Sequence, residues 1–328
     1  MLLHKPAPVD ESPLHLEEVT SPLPRPGQIR VRVQCCGVCH TDLHIVEGEL
    51  PLPKLPVIPG HQIVGVIDAI GPGVHKHKEG DRVGIPWLYS TDNCCDYCRR
   101  GLENLCEQGQ FTGFHADGGY AEYVVVHEDY AYVVPQVFSD ENAAPLLCAG
   151  VIGYRSYRLS GIRPGERLGL FGFGASAHLV LQLARHQGCE VSVFTRAQSH
   201  RDLARDLGAA WVGSAEDEPP SQLHAGIIFA PAGFLVPLAL RHLRKAGTLA
   251  LAGITMSPIP QMDYGLLYHE RIVRSVANST RQDVRDFLAL AAEVPLNTEI
   301  QMFDLAQANQ ALQSLKKSAI HGAAVLRI

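Results

Sequence analysis

Apolar and polar residues alternate singly along Gln28–Cys36, where Ile29, Val31 and Val33 are separated by Arg30, Arg32 and Gln34. A period of two predicts a half-buried strand. Gln62–Ile70 and Tyr120–Val126 read the same way. Pro and Gly punctuate the chain between them, as in Leu50–Gly60 and Gly71–Gly73, which predicts a compact β-rich unit with long loops over the first third. The texture changes near Ala149. From Arg167 onward, short apolar runs alternate with helical periodicity. Strands are expected at Arg167–Phe171, Cys189–Phe194, Ala225–Ala230, Thr248–Ala252 and Ile272–Ala277. Helices are expected from the glycines after Phe171 to about Gln187, over His200–Leu207 and over Leu235–Arg244. Such alternation predicts βαβ units and a parallel sheet, an α/β class. Helical periodicity returns at Val284–Ala292 and Leu305–Leu315, and Ala323–Ile328 is expected to be a strand returning to the first unit.

The chain has 328 residues, enough for about two domains. The expected division is 1–150, with 278–328 returning to it, and 151–277. Hydrophobic residues make up 46% and charged residues 19%, which excludes a disordered chain. Lys plus Arg number 28 and Asp plus Glu 34, a net charge of −6, so no nucleic-acid partner is expected. No apolar run reaches the roughly 18–20 residues of a membrane helix, and Met1–Asp10 lacks the apolar stretch of a secretory signal. A cytoplasmic location is the expectation. Seven of the nine cysteines lie between Cys35 and Cys106, several in tight clusters, which reads as metal binding before disulfides.

Three segments carry the chemistry. Gly37-Val38-Cys39-His40-Thr41-Asp42-Leu43-His44 comes first, then Pro59-Gly60-His61-Gln62, then Pro145-Leu146-Leu147-Cys148-Ala149-Gly150. Two thiolates and one imidazole make three zinc ligands and leave a fourth position open for water or substrate, as a catalytic zinc requires. Together, in this order, the segments closely resemble the zinc-dependent alcohol dehydrogenases of the medium-chain dehydrogenase/reductase family. The resemblance spans essentially the whole chain. It implies a GroES-like β-rich catalytic domain, a Rossmann doubly wound parallel sheet, and an active site in the cleft between them. It implies that Cys39, His61 and Cys148 bind catalytic zinc, that Asp42 orients His61, that Thr41 relays the alcohol proton, and that His44 is the outer proton acceptor. Thr41 and His44, three apart, would share one face of a short helix. Cys35, Cys36 and Cys189 read as buried core cysteines. The implied reaction passes hydride between a small alcohol, or its aldehyde or ketone, and a nicotinamide cofactor. Zinc suits it because the metal brings the pKa of bound water from about 15.7 to about 7. The family also implies a homodimer or homotetramer. Two other readings stand beside this one: a polyol or cinnamyl-type alcohol dehydrogenase, and a non-catalytic zinc- and nucleotide-binding sensor or scaffold.

Gly172-Phe173-Gly174-Ala175-Ser176-Ala177 follows a strand and opens a helix, the context a dinucleotide fingerprint needs. Gly172 serves the tight turn, Gly174 the approach of the pyrophosphate, and Ala177 close packing. About 20 residues on, an NAD enzyme presents Asp or Glu to the ribose. This chain has Thr195-Arg196, then His200 and Arg201, so NADP(H) is expected, since Arg can pair with a 2′-phosphate. The alternative is that Arg196 and Arg201 are solvated helix-entry residues. His40 matches the family's basic residue near the pyrophosphate. Departures from the family pattern are Gln62 where most relatives have Glu, Ile152 where Thr is common, and Ala323 after Gly322 where an Arg is usual. Trp87, Leu88, Ile152 and Tyr264 are candidates for the substrate pocket.

The family's second, structural zinc takes four cysteines spaced C-x2-C-x2-C-x7-C. Cys95, Cys98 and Cys106 keep the last two spacings, Asp92 falls on the first position, and an extra Cys94 adjoins Cys95. Asp92 could ligate, Cys94 could swing in, or the lobe could be metal-free. Asp92 is favoured because it occupies the ligand position without backbone rearrangement.

Overall fold

The computed structural model describes residues 1–320 and 322–328. Its organising strand is Gln28–Val38, where Ile29, Val31 and Val33 point inward and alternate with partly or fully exposed neighbours. From Cys35 the burial along this half of the strand becomes continuous. Ala323–Arg327 pairs with it antiparallel, and Ile63–Ile70 runs along its other edge. The outer half pairs instead with Tyr123–His127. Arg82–Ile85 and Tyr132–Val133 extend the sheet on one side, and Ile300–Asp304 lies parallel to Ala323–Arg327 on the other. Ile29, Val31, Ile63, Ile67, Val83, Ile85, Val124 and Val126 form the centre of its core. Each such side chain contributes about 1.5–3 kcal/mol when fully buried.

This unit contains Met1–Cys148, Asn278–Ala292 and Thr298–Ile328. The second contains Ala149–Ala277 together with Glu293–Asn297. That last short segment departs from the expectation that everything from 278 onward stays with the first unit. Asn297 and Gln182 hold it, each side donating one hydrogen bond to the other at 2.7 and 3.0 Å.

The second unit is built on six parallel strands in the spatial order Trp211–Gly213, Glu190–Phe194, Arg167–Phe171, Leu223–Ile228, Leu243–Leu251, Ile272–Ser275. In chain order this is 3-2-1-4-5-6, the doubly wound arrangement of dinucleotide-binding sheets. Three of its inner strands, Glu190–Phe194, Arg167–Phe171 and Leu223–Ile228, are almost wholly buried, as parallel strands covered on both faces must be.

Local differences from the sequence pattern have physical causes. The expected strand from Tyr120 starts at Tyr123, because the Gly119 and Tyr120 N–H groups bond to Gly60 and Pro59 carbonyls instead. The helix from Leu235 stops at His242, since Leu243 already pairs with Leu223 in the sheet. A helix at Ala149–Ser160 was not anticipated. It packs so close to Ala175–His186 that a Cβ on Gly153 would sit 2.7 Å from Val180 Cγ2. Among the described residues, no helix is long and apolar enough to cross a membrane.

Candidate active site

Cys39 closes the strand Gln28–Val38 and is the N-cap of the helix His40–Glu47. Its backbone N–H donates to Asp42 Oδ2 at 2.9 Å, which fixes the first turn. The other Asp42 oxygen, Oδ1, lies 3.0 Å from His61 Nδ1. Asp42 is fully buried and His61 nearly so, so one carboxylate positions both the cysteine loop and the imidazole. His61 follows Gly60, whose φ of +98° suits glycine, and a Cβ there would overlap the Tyr120 ring. Cys148 ends the short turn Ala144–Leu147.

These three elements converge. Cys39 Sγ lies 3.4 Å from His61 Nε2 and 4.0 Å from Cys148 Sγ. A tetrahedral ion with bonds of about 2.3 Å to sulfur and about 2.0–2.1 Å to nitrogen needs edges of roughly 3.5–3.8 Å, so the donors fit zinc. The hydrogen bond shared with Cys148, and then burial, raise the Cys39 thiol well above its ordinary pKa. Burial pushes His61 down, but the Asp42 carboxylate and Cys39 outweigh it and raise it to about 10. Both shifts favour the protonated groups, whereas zinc takes the thiolate and the neutral imidazole, so binding a metal here would release protons. Trp87 meets His61 edge-on with ring centroids 4.8 Å apart, and Phe111 stacks on Trp87 at 5.1 Å. Leu88 is core, whereas Ile152 and Tyr264 belong to the second unit.

Thr41 and His44 lie on the helix His40–Glu47. Thr41 is half-buried, and His40 is exposed with its ring 6.5 Å from that of His44. Glu49, which sequence reasoning missed, places Oε2 2.6 Å from His44 Nδ1. Only a five-residue spacing hints at that pair. Cys35, Cys36 and Cys189 are buried and free.

Asp92, Cys95, Cys98 and Cys106 bring one donor atom each to within 4.8 Å of one another. Asp92 Oδ1 accepts from the N–H groups of Cys95 and Cys94, at 3.0 and 2.9 Å, which holds its carboxyl far below the usual range. Burial and the neighbouring donors raise the Cys98 thiol to about 12, although Thr91 opposes them. Cys94 is exposed and outside the cluster. The lobe is tied down by Glu103, a second missed residue. Its buried carboxylate accepts from the Arg281 backbone N–H at 2.8 Å.

In the second unit Gly172 has φ +88°, and its Cβ would lie 2.9 Å from Ala230 N. Gly174 caps the helix Ala175–His186 without any side-chain hydrogen bond, and the place of a Cβ there is open. The glycine thus leaves room at the helix N-terminus, where a pyrophosphate would fit. Ala177 is fully buried in the helix packing. At the end of Glu190–Phe194, Thr195 is buried and Arg196 exposed, and Arg201 Nε donates to Thr195 O at 2.9 Å.

Two family descriptions match the chain: the alcohol dehydrogenase GroES-like domain over residues 25–136 and zinc-binding dehydrogenase over residues 177–293. A probable alcohol dehydrogenase, AdhA, from Mycobacterium tuberculosis is 47% identical over 99% of this chain and 96% of that protein. The chain belongs to the zinc-dependent alcohol dehydrogenases of the medium-chain dehydrogenase/reductase family. An alcohol dehydrogenase of Geobacillus stearothermophilus is 38% identical over 97% of both chains. Among solved structures, a Sorghum bicolor cinnamyl alcohol dehydrogenase superposes with a TM-score of 0.86 at 28% identity, over 94% of this chain and 92% of that one. A Helicobacter pylori CAD complexed with NADP(H) gives 0.83 at 26% identity, over 92% and 91%. This alcohol dehydrogenase is therefore an enzyme, an oxidoreductase of the zinc- and nicotinamide-dependent kind, and the sensor or scaffold reading is set aside.

Proposed function

We propose that the enzyme holds catalytic zinc on Cys39, His61 and Cys148 and interconverts an alcohol and its carbonyl with NADP(H). The convergence of three donors locked by Asp42 carries the reading. Zinc bound there would acidify an alcohol or polarise a carbonyl, while bound nicotinamide would exchange the hydride. The chain's own residues handle the proton. Thr41 Oγ1 takes the proton of the alcohol hydroxyl and passes its own to His44, which releases it to water. Asp42 keeps His61 Nδ1 hydrogen-bonded, so Nε2 is the coordinating atom. Asp92, Cys95, Cys98 and Cys106 would hold a second zinc, and four such ligands would leave no open position for chemistry.

Preference for the phosphorylated cofactor rests on the strand end at Thr195, where Thr195-Arg196 stand in place of the Asp or Glu of an NAD enzyme and Arg201 lies alongside. A cinnamyl-type substrate is a second reading, favoured by the aromatic wall of Trp87, Phe111 and Phe114 beside His61. The enzyme is further proposed to self-associate along the strand Ile272–Ser275. A panel of aliphatic, aromatic and polyol substrates, run with NADP+ and NAD+, tests both readings. Arg196→Ala should raise KM for NADP+ about 5- to 100-fold, the equivalent of one Arg–phosphate interaction of about 1–3 kcal/mol, and leave NAD+ nearly alone. Equal specificity constants for the two cofactors in the unmodified enzyme would defeat the preference.

A further inference from the structure

The helix His40–Glu47 ends at Gly48 in the left-handed conformation, with the Gly48 N–H on the carbonyls of His44 and Ile45. The next N–H, that of Glu49, also returns to His44 O, at 2.9 Å. This capping turn folds Glu49 back over the last turn of the helix. There its Oε2 lies 2.6 Å from His44 Nδ1. Glu49 therefore grips His44 twice, through its backbone and through its carboxylate. The His44 side chain is 17% exposed and that of Glu49 54%, so the pair runs from a covered ring to a carboxylate in water.

We propose that Glu49 is a positioning residue for proton transfer. By accepting from His44 Nδ1–H, it holds the tautomer whose Nε2 carries the lone pair. Nε2 is then the atom that takes the proton leaving Thr41. The inference rests on the reading of His44 as the proton acceptor. The step balances simply. Thr41 Oγ1 gains the proton of the substrate hydroxyl and loses its own. His44 Nε2 binds that proton, and the imidazolium formed is held against the Glu49 carboxylate. Water then removes the proton from Nε2 and restores the starting tautomer.

The other charged groups nearby do not compete for this role. His40, one turn earlier on the same helix, carries no negative charge to offer, and its ring centroid is 6.5 Å away. Glu47 is already used: its Oε1 accepts from the Val9 N–H at 2.9 Å and from Lys316 Nζ, on the helix Ala308–Lys316, at 2.7 Å. Lys316 lies in the field of Glu47, Asp10 and Glu49, and Glu47 also feels the charge of His44, but without a hydrogen bond to its ring. Glu49 is the carboxylate on the ring.

The test uses the zinc-loaded, full-length enzyme in four forms: E49Q, E49D, H44A and the double variant. A glutamine has nearly the shape of glutamate, but its amide can also donate to Nδ1. It therefore permits the tautomer with a proton on Nε2, which cannot accept another. E49Q should lower kcat for alcohol oxidation about 5- to 20-fold, less than a full general base is worth because water can partly substitute. KM, bound zinc and Tm should be unchanged. E49D, still a carboxylate, should be slowed less. In the H44A background E49Q should add nothing, a non-additivity that a merely structural role would not produce. E49Q within twofold of the unmodified enzyme, while H44A is slow, overturns the role of Glu49 alone. Equal slowing by E49Q in both backgrounds overturns it too, as a packing effect. An H44A enzyme of unchanged rate overturns the His44 reading itself.

Discussion

Asp42 shows how much one side chain can organise. It is wholly buried, yet each of its oxygens has a partner on a different chain segment, the Cys39 N–H and His61 Nδ1. A buried carboxylate without such partners would cost several kcal/mol. The same arithmetic governs Cys39, whose thiol is raised well above its ordinary pKa by the hydrogen bond shared with Cys148 and by burial. Replacing Cys39 by Ser removes the soft anionic donor and substitutes a hydroxyl, a poor zinc ligand beside a thiolate. Cys39→Ser is expected to lose one zinc per chain and more than about 100-fold in kcat/KM, measured by metal analysis alongside steady-state kinetics. Full activity in a zinc-free Cys39→Ser protein would sink the catalytic-zinc reading. At this scale Cys39, His61 and Cys148, which the fold brings together, were legible because they stand in segments whose residue type and order are distinctive. Glu49 and Glu103 were not, because a glutamate's partner depends on where a turn or a distant helix delivers it.

Among elements, the lobe around Asp92 is the most revealing. Its helix, Asp96–Arg99, has only four residues and buries none of them. Among its donors Cys106 is buried, while the lobe's other anchors are the Thr91–Tyr130 hydrogen bond of 2.8 Å and the Glu103–Arg281 pair. So small a piece cannot hold its shape by apolar burial, and metal binding is the term that can close it. Asp92→Ala should therefore cost one zinc and lower Tm by several degrees, read by metal analysis and calorimetry. Cys94→Ala should cost neither, since Cys94 uses only its N–H and carbonyl, the latter toward Arg99. One zinc per fully active, unmodified chain would mean that the lobe stands without metal. Elements elsewhere were legible to within a few residues where periodicity was strong, as in Arg167–Phe171 and Gln28–Val38. The strand Ile300–Asp304 escaped notice, because its pattern is weak and its identity comes from pairing with Ala323–Arg327.

For the whole molecule, alternating strands and helices were enough to anticipate a parallel sheet, but no local signal encodes which strands end up at its edges. That is set by which neighbours the strands pair with across the sheet, in the order found. The consequence falls on Ile272–Ser275, the last strand of the six. One side pairs with Leu243–Leu251, and Ile272 is 52% exposed. Tyr264 and Tyr268, on the segment leading into it, are 70% and 64% exposed. A free edge with apolar side chains invites pairing with another strand unless it is covered. A second copy of the chain, related by a two-fold axis, would lay its own Ile272–Ser275 antiparallel to the first and bury both sets of side chains. A substitution at such an interface acts twice, once from each copy. Ile272→Lys places two like charges near the axis and should weaken the dimer at least about tenfold in its dissociation constant, shifting the protein toward monomer in light scattering behind size exclusion. The substituted side chain is exposed in the single chain, so Tm extrapolated to low protein concentration should change little. An unmodified enzyme that runs as a monomer, or an Ile272→Lys variant that keeps the full assembly, would place the interface elsewhere or remove it.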